Sequence, residues 1–511
     1  MNPRIAKEIR AQLFPFGLII CAAVLPFWIF PTHPADLMVP GFTLACLLMG
    51  AAAFGTEFQH RTMAGLLVQP LPRSTLWMEK MWVMCGFISA GTMVVGLAVK
   101  LYASRLPEGN WNYVWWTLLL VPICSAGGGP FWTLLLRNSL LGTAFTFLAP
   151  AFLLMLNVWI YEKMHLGSGG GFQTKDVCLL LLIYAPTTLL LGFRRFTKLE
   201  AYDGPLPSPE VELPRAVGTF FSKPIEALVR PFAGPFTSLV RKELRLQQLS
   251  FLFAAVFSIP VMLVIALHGG HLDWKGQSSF CAMSIVAGFG IYMGILPVLA
   301  GSLSLAEEKS WGVSEWHLTL PPAVRKQWLA KMLVAFGVSL VLGLLFPGLL
   351  LWIGKGWPFE NNPGSLVEIA VQALMVPIVQ LLLTSIAIYA SSLVAGTIRA
   401  MLVCTGMLFA VGPLIRFGSL IGNEYRRTDD IFFVTFDWSE GLIILGGYMC
   451  IAAVGVACLL QVFSFMDFRF QRPPARQIGL QLVILSAVIL IISVGLGTLG
   501  SLWAGSVVGV Q

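Results

Sequence analysis

Residues 332–353 read MLVAFGVSLVLGLLFPGLLLWI and contain no charged side chain. A helix of about 20 apolar residues spans the hydrocarbon core of a bilayer, and it satisfies its backbone hydrogen bonds internally. The run Met332–Ile353 therefore predicts a transmembrane helix.

Similar runs lie on both sides of this one. The predicted spans form two series of six and one C-terminal run. They are Leu13–Phe30, Val39–Phe54, Met81–Val99, Val114–Leu136, Ser139–Tyr161 and Val177–Phe193, then Leu249–Leu267, Ser279–Ala306, Met332–Ile353, Ile369–Leu393, Ala400–Asn423 and Gly441–Phe463, and last Ile478–Ala504. The predicted fold class is all-α, a polytopic membrane protein with 12–13 transmembrane helices.

The composition of the whole chain agrees with this fold class. Of its 511 residues, 57% are hydrophobic and 11% are charged, whereas a soluble protein carries about 25% charged residues. The mean hydropathy is +0.80. Such a chain cannot cover the surfaces of soluble domains, and it is also unlike disordered, fibrous, nucleic-acid-binding or disulfide-scaffold proteins.

The basic residues predict the orientation, because cytoplasmic loops of membrane proteins are enriched in Lys and Arg. With the N-terminus inside the cell, 24 of the 33 Lys and Arg fall on the cytoplasmic side, 8 fall outside and Arg416 falls within a span. The net charge of +8 thus mostly reflects topology. The predicted location is the cell (inner, cytoplasmic) membrane, with a cytoplasmic N-terminus.

Two parts of the chain resemble each other. Lys7-Glu8-Ile9-Arg10 before the first span matches Lys242-Glu243-Leu244-Arg245 before the seventh. The loop after the second span of each series also matches, without a gap. There Glu57, Pro70, Trp77, Lys80 and Met81 correspond to Glu308, Pro321, Trp328, Lys331 and Met332. Because each series has an even number of spans, the pattern predicts two parallel six-helix repeats.

The repeats and the spans define the predicted domains. Residues 1–198 form the first six-span half, and residues 199–235 form a cytoplasmic linker rich in proline. Residues 236–470 form the second half, and residues 471–511 hold an additional C-terminal helix.

The matching loops, residues 55–80 and 306–331, are the most informative segments. We expect Glu57 and Glu308 at the start of a short helix, where a carboxylate suits the positive end of the helix dipole. The prolines should end that helix, since the residue before proline avoids the α conformation. Leu66, Leu67 and Leu318 would then be available to a partner, and basic residues lead back to the membrane.

This order of residues resembles the type 2 ABC transporter permease family, the membrane subunits of ABC exporters. In that family the loop forms a coupling helix that docks on the ATPase subunit. Gly312 keeps the glycine of the family pattern, while Arg61 stands in its place in the first loop. The resemblance implies coupling roles for Glu57, Arg61, Pro70 and Arg73, and for Glu307, Glu308, Gly312, Pro321, Arg325 and Lys326.

The resemblance also implies a partner. The chain has no G-x-x-x-x-G-K-[ST] phosphate loop. Two copies of a separate ABC ATPase would therefore bind and hydrolyse ATP. This chain is then expected to have no catalytic residue and to bind no cofactor or metal of its own. The resemblance places the substrate path along the second and fifth spans of each half.

Two other classes remain as alternatives. A secondary, ion-coupled carrier can also have two parallel six-span repeats, but it needs ionisable groups inside its spans. The predicted spans contain Asp or Glu only near their ends. A membrane-embedded enzyme is the other alternative, although no nucleophile–base pattern appears.

Three further features bear on a substrate path. Arg416 faces an anionic substrate, or it extends its long side chain to the outer interface, or the eleventh span ends before it. The run Gly127-Gly128-Gly129-Pro130 predicts a kink or close helix packing, and Gly128 and Pro130 are candidates for a substrate-lining break. His268 and His271 lack a third ligand at metal-site spacing and are assigned to an outer loop.

Overall fold

The computed structural model of the chain describes residues 3–29, 35–59, 62–103, 112–137, 139–164, 174–199, 234–267, 279–310, 312, 323–353, 366–422, 440–470 and 474–508. Every regular element in these ranges is a helix. Nine helices within them are long and apolar enough to cross a membrane. The protein is therefore an all-α, multi-pass membrane protein.

The chain divides into two compact units, Met1–Leu213 and Pro214–Gln511. Unit 1 contains α1 (Pro3–Ile29), α2 (Ala35–Gln59), α3 (Met63–Leu67), α4 (Arg73–Ala103), α5 (Asn112–Leu136), α6 (Ser139–Met164) and α7 (Thr174–Thr197). Unit 2 contains α8 (Pro235–Leu246), α9 (Gln248–Leu267), α10 (Ser279–Ser310), α11 (Val324–Leu340), α12 (Phe346–Ile353), α13 (Leu366–Leu393), α14 (Thr397–Gly422), α15 (Glu440–Phe470) and α16 (Ala475–Val508). A π-helical turn, Val341–Leu345, joins α11 to α12.

Each predicted span overlaps a helix, and Met332–Ile353 covers α11, the π-helical turn and α12. Among the described residues, α7 is not one of the nine helices long and apolar enough to cross a membrane. The apolar stretches of α6, α9 and α14 within the described residues are shorter than a full span, for example Gly142–Leu153 in α6. The helices also extend beyond the apolar runs, since α1 begins at Pro3 and α10 continues to Ser310. The apolar run thus predicts the position of each helix but not its ends. The predicted linker is described only at residue 199 and from residue 234 on.

Within unit 1, α5 is the central helix and packs against α2, α6 and α7. It runs without interruption through the glycine-rich segment that predicted a kink or close packing. A Cβ atom on Gly129 would lie 2.5 Å from the backbone carbon of Gly50 in α2, and one on Gly127 would lie 2.3 Å from the carbonyl oxygen of Ala185 in α7. Close helix packing is therefore the role of these glycines.

We expect Gly129→Val to destabilise unit 1, because the new side chain would meet the backbone of α2. Overpacking of a core costs about 1–3 kcal/mol, and here the obstacle is a rigid backbone. The melting temperature of the purified protein should fall. Gly86→Val is the matched control, since a Cβ atom at Gly86 has no neighbour within 4 Å. Equal melting temperatures for the two variants would contradict this packing.

Within unit 2, α10 packs against α11, α13 and α14, and α13 packs against α15. The corresponding helices of unit 1 make the same kinds of pairs, since α2 packs against α4, α5 and α6, and α5 packs against α7. The additional helix α16 packs against α14 and α15. It is therefore an integral part of unit 2.

Candidate functional site: two buried ion-pair clusters

Cluster 1 consists of Lys7, Glu8, Glu57 and Lys80, at one end of the helices of unit 1. The Glu57 carboxylate accepts from Lys7 Nζ at 2.9 Å and from Lys80 Nζ at 3.1 Å. Lys80 Nζ also donates to Glu8 at 2.6 Å and to the carbonyl oxygen of Ala53 at 3.2 Å. The ammonium group has three N–H donors, so all of them are used. Cluster 1 joins α1, α2 and α4.

Cluster 2 consists of Lys242, Glu243, Glu308 and Lys331, and it has the same arrangement in unit 2. The Glu308 carboxylate accepts from Lys242 Nζ at 2.5 Å and from Lys331 Nζ at 2.8 Å. Lys331 Nζ also donates to Glu243 at 2.8 Å and to the carbonyl oxygen of Ser304 at 3.3 Å. Cluster 2 joins α8, α10 and α11.

The electrostatics of the two clusters follow from this geometry. Each cluster contains two cations and two anions, so its net charge is zero, which is the condition under which buried charges are tolerated. Burial raises the pKa of the Glu243 carboxyl, and repulsion from Glu308 adds to this effect while the charge of Lys331 opposes it. Glu57 and Glu308 are 1% and 2% exposed. Both carboxylates therefore bind groups inside the protein instead of water.

Neighbouring contacts repeat as well. Gln12 donates to the carbonyl oxygen of Met49 at 3.3 Å, and Gln247 donates to that of Ala300 at 2.8 Å. These bonds tie the residues just before each first span to the second span of the same unit.

Two tryptophans occupy matching places beside the clusters. Trp77 lies 5.7 Å from the ring of Phe196 in α7. In unit 2, Trp328 lies 5.4 Å from the ring of Phe465 in α15. The third and sixth spans of each unit thus meet through aromatic rings next to the ion pairs.

The expected position of the two glutamates at a helix start is wrong. Glu57 lies in the last turn of α2 and Glu308 lies in the last turn of α10. The favourable interaction of a carboxylate with a helix start is only about 0.3–1 kcal/mol, whereas each glutamate here meets two ammonium groups. The ion pairs therefore determine where these residues lie.

The first loop contains the expected short helix, α3, which ends before Pro70. The two leucines of this loop that were expected to be available to a partner are not exposed, because Leu66 is buried and Leu67 is half-buried. The next residue, Val68, is 68% exposed. Arg73 begins α4 and donates to the carbonyl oxygen of Thr197 at 2.6 Å, which fixes the end of the loop to α7.

In the second loop, Gly312 adopts a φ of +69°, a left-handed conformation that favours glycine. Its N–H donates to the carbonyl oxygen of Lys309 at 3.2 Å, which closes the end of α10. Glu307 is half-buried in α10, and Arg325 and Lys326 are exposed in the first turn of α11. Arg61, Leu318, Pro321, His268 and His271 lie outside the described residues.

The candidates for a substrate path are not brought together by a described contact. Gly128 and Pro130 are buried inside unit 1. Arg416 belongs to α14, and its side chain is outside the described part of the chain. Within that part, no group of three or more His, Cys, Asp or Glu could hold a metal ion.

Comparisons with known proteins give no match. No family model, no curated protein and no solved structure is similar to this chain.

Proposed function

We propose that the chain is the permease subunit of an ATP-driven ABC exporter, built from two parallel six-helix repeats and the additional helix α16. Two copies of a separate ATPase would act on its loops 55–80 and 306–331. The N-terminus would lie in the cytoplasm, and the protein would reside in the cell membrane. Clusters 1 and 2 are the observation that carries this proposal.

The clusters support a repeat because long-range contacts are duplicated as well as residues. Glu57, Ala53 and Lys80 in unit 1 correspond, at one constant spacing of the sequence, to Glu308, Ser304 and Lys331 in unit 2. Even the hydrogen bond from the lysine to a backbone oxygen of the second span occurs in both units. Two unrelated helix bundles would have no reason to share this set of partners.

The clusters also support a mechanical role for the loops. Glu57 lies at the start of the first loop, in the last turn of α2, and it is bound both to Lys7 in α1 and to Lys80 in α4. A force applied to the loop would therefore move three helices together instead of bending the loop alone. The same connection exists at Glu308 for the second loop. Such rigid links suit a protein that is driven by a partner docked on its surface.

The proposal predicts an ATPase partner that can be isolated. The chain expressed from its own locus should co-purify with an ABC ATPase, and the isolated chain should hydrolyse no ATP. The measurement is affinity purification from detergent-solubilised membranes, followed by protein identification and an ATPase assay. Transport by the chain alone, driven by an ion gradient, would favour the carrier instead. ATP hydrolysis by the isolated chain would favour an enzyme.

A further inference from the structure

A buried aspartate connects the additional helix α16 to the rest of unit 2. Asp467 on α15 is fully buried. Its carboxylate accepts from Gln481 Nε2 at 2.9 Å and from Gln477 Nε2 at 3.3 Å, both on α16. It also accepts from Ser392 Oγ on α13 at 3.3 Å. Tyr389, on the same helix as Ser392, donates to Gln481 Oε1 at 3.0 Å. One carboxylate thus holds three helices.

The same network reaches the start of the second loop. Lys309 Nζ donates to the carbonyl oxygen of Ser392, and the hydroxyl group of the same serine donates to the Asp467 carboxylate. The negative charge of Asp467 favours the charged form of Lys309. Lys309 follows Glu308 of cluster 2, and its own carbonyl oxygen accepts from the N–H of Gly312. A continuous series of contacts therefore runs from α16 through Asp467, Ser392 and Lys309 to the loop.

Unit 1 has different residues at the matching positions. Counting from the shared glutamate, Phe58 corresponds to Lys309. The segments Phe193-Arg194-Arg195-Phe196 and Phe465-Met466-Asp467-Phe468 share two phenylalanines at the same spacing, and in this match Arg195 corresponds to Asp467. The charge at the second position is thus reversed, and the amino-acid sequence of unit 1 contains no seventh span. The residues of this network are thus found in the unit that has the additional helix, α16, and not at the matching positions of unit 1.

We propose that Asp467 is a positioning residue through which α16 holds Lys309, and with it the start of the second coupling loop. This proposal rests on the proposed function. Lys309 is half-buried. Without the negative charge of Asp467, its ammonium group would lose a favourable electrostatic interaction, and a charge that is withdrawn from water without such an interaction is costly. The side chain would turn toward water, and the end of α10 would lose its link to α13 and α16.

The test uses Asp467→Asn, Lys309→Met and the double variant in the full-length chain with its ATPase. Asparagine retains hydrogen-bonding capacity at this position and removes the charge. We expect ATPase capture to be unchanged, while ATP turnover per captured ATPase falls about fivefold or more, which is the lower end of usual coupling effects. Because the two residues would act through each other, the double variant should be no worse than the single variants. Ser493→Ala, a buried hydroxyl on α16 bonded within its own helix, is the matched control.

Two results would overturn the proposal. One is full turnover in Asp467→Asn together with a lower melting temperature, which would assign the residue to stability alone. The other is independent, multiplying losses in the double variant. Failure of the wild type to capture any ATPase would instead overturn the proposed function. In that case the positioning role is still tested by thiol labelling of Ser310→Cys in a background without native cysteines. Asp467→Asn should speed the labelling of this cysteine. An unchanged labelling rate would refute the positioning role.

Discussion

Replacing Lys331 by methionine will destabilise unit 2 by about 3–5 kcal/mol, the cost of removing one partner from a buried ion pair. The change leaves Glu243 and Glu308 with Lys242 as the remaining cation of cluster 2. The two carboxylate side chains are only 4% and 3% exposed, so water cannot replace the lost ammonium group. Total stabilities of domains are about 5–15 kcal/mol, and the loss will therefore be visible as a lower melting temperature and less protein in the membrane.

A second substitution should reverse much of this effect. Adding Glu308→Gln to Lys331→Met restores a net charge of zero, with Lys242 left to pair with Glu243 at 3.8 Å. Lys326→Met removes a lysine from an exposed position of the same helix, and it should leave the melting temperature unchanged. If the double variant is less stable than Lys331→Met, charge imbalance is not the cause.

The equivalent change in unit 1, Lys80→Met, should cost less. Cluster 1 is closer to water, since the side chains of Glu8 and Lys7 are 13% and 57% exposed. Solvent screens charges at such positions and weakens their interactions. An equal or larger loss in Lys80→Met than in Lys331→Met would contradict this ranking.

The sequence alone predicted the positions of the helices well, because the length of an apolar run such as Met332–Ile353 is almost sufficient to identify a membrane span. It also predicted the short helix of the first loop and its end before Pro70. Both features depend on residues that are close together in the chain. The periodicity and the composition of a segment are sufficient to identify them.

The clusters were not predicted, although every member was visible in the matched segments. Each half has the same charged residues at matching places, which in the first half are Lys7, Glu8, Glu57 and Lys80. The local sequence around each residue does not predict that they contact one another. Their contacts join residues 23 to 72 positions apart. The useful signal was that each half repeats two cations and two anions next to apolar spans, where charges require partners. The helix dipole alone favours a carboxylate at the start of a helix, but each glutamate here meets two ammonium groups at the end of its helix.

Because Glu57 is buried in cluster 1, a different residue of the first loop is expected to contact the ATPase. Glu57 is 1% exposed, whereas Val68 is 68% exposed, and Met63 and Leu66 beside it are buried at 8% and 9%. A single exposed apolar side chain is common on any protein surface. Val68, however, lies in the loop to which the proposed function assigns docking, directly after α3. An apolar side chain presented at the end of a rigid segment is a suitable anchor for a groove on a partner.

We therefore expect Val68→Asp to weaken ATPase binding by about 2 kcal/mol, roughly thirtyfold in Kd, as for a central contact of an interface. The melting temperature of the chain should not change, because the side chain already faces water. Val68→Thr, which has nearly the same shape and no charge, should retain much more of the binding. Glu57→Gln gives the contrasting case, since it should lower stability and binding together by loosening cluster 1. The measurement is capture of the purified ATPase by each variant at matched membrane levels. Full capture by Val68→Asp would exclude this face of the first loop from the interface and would leave docking there without an exposed apolar anchor.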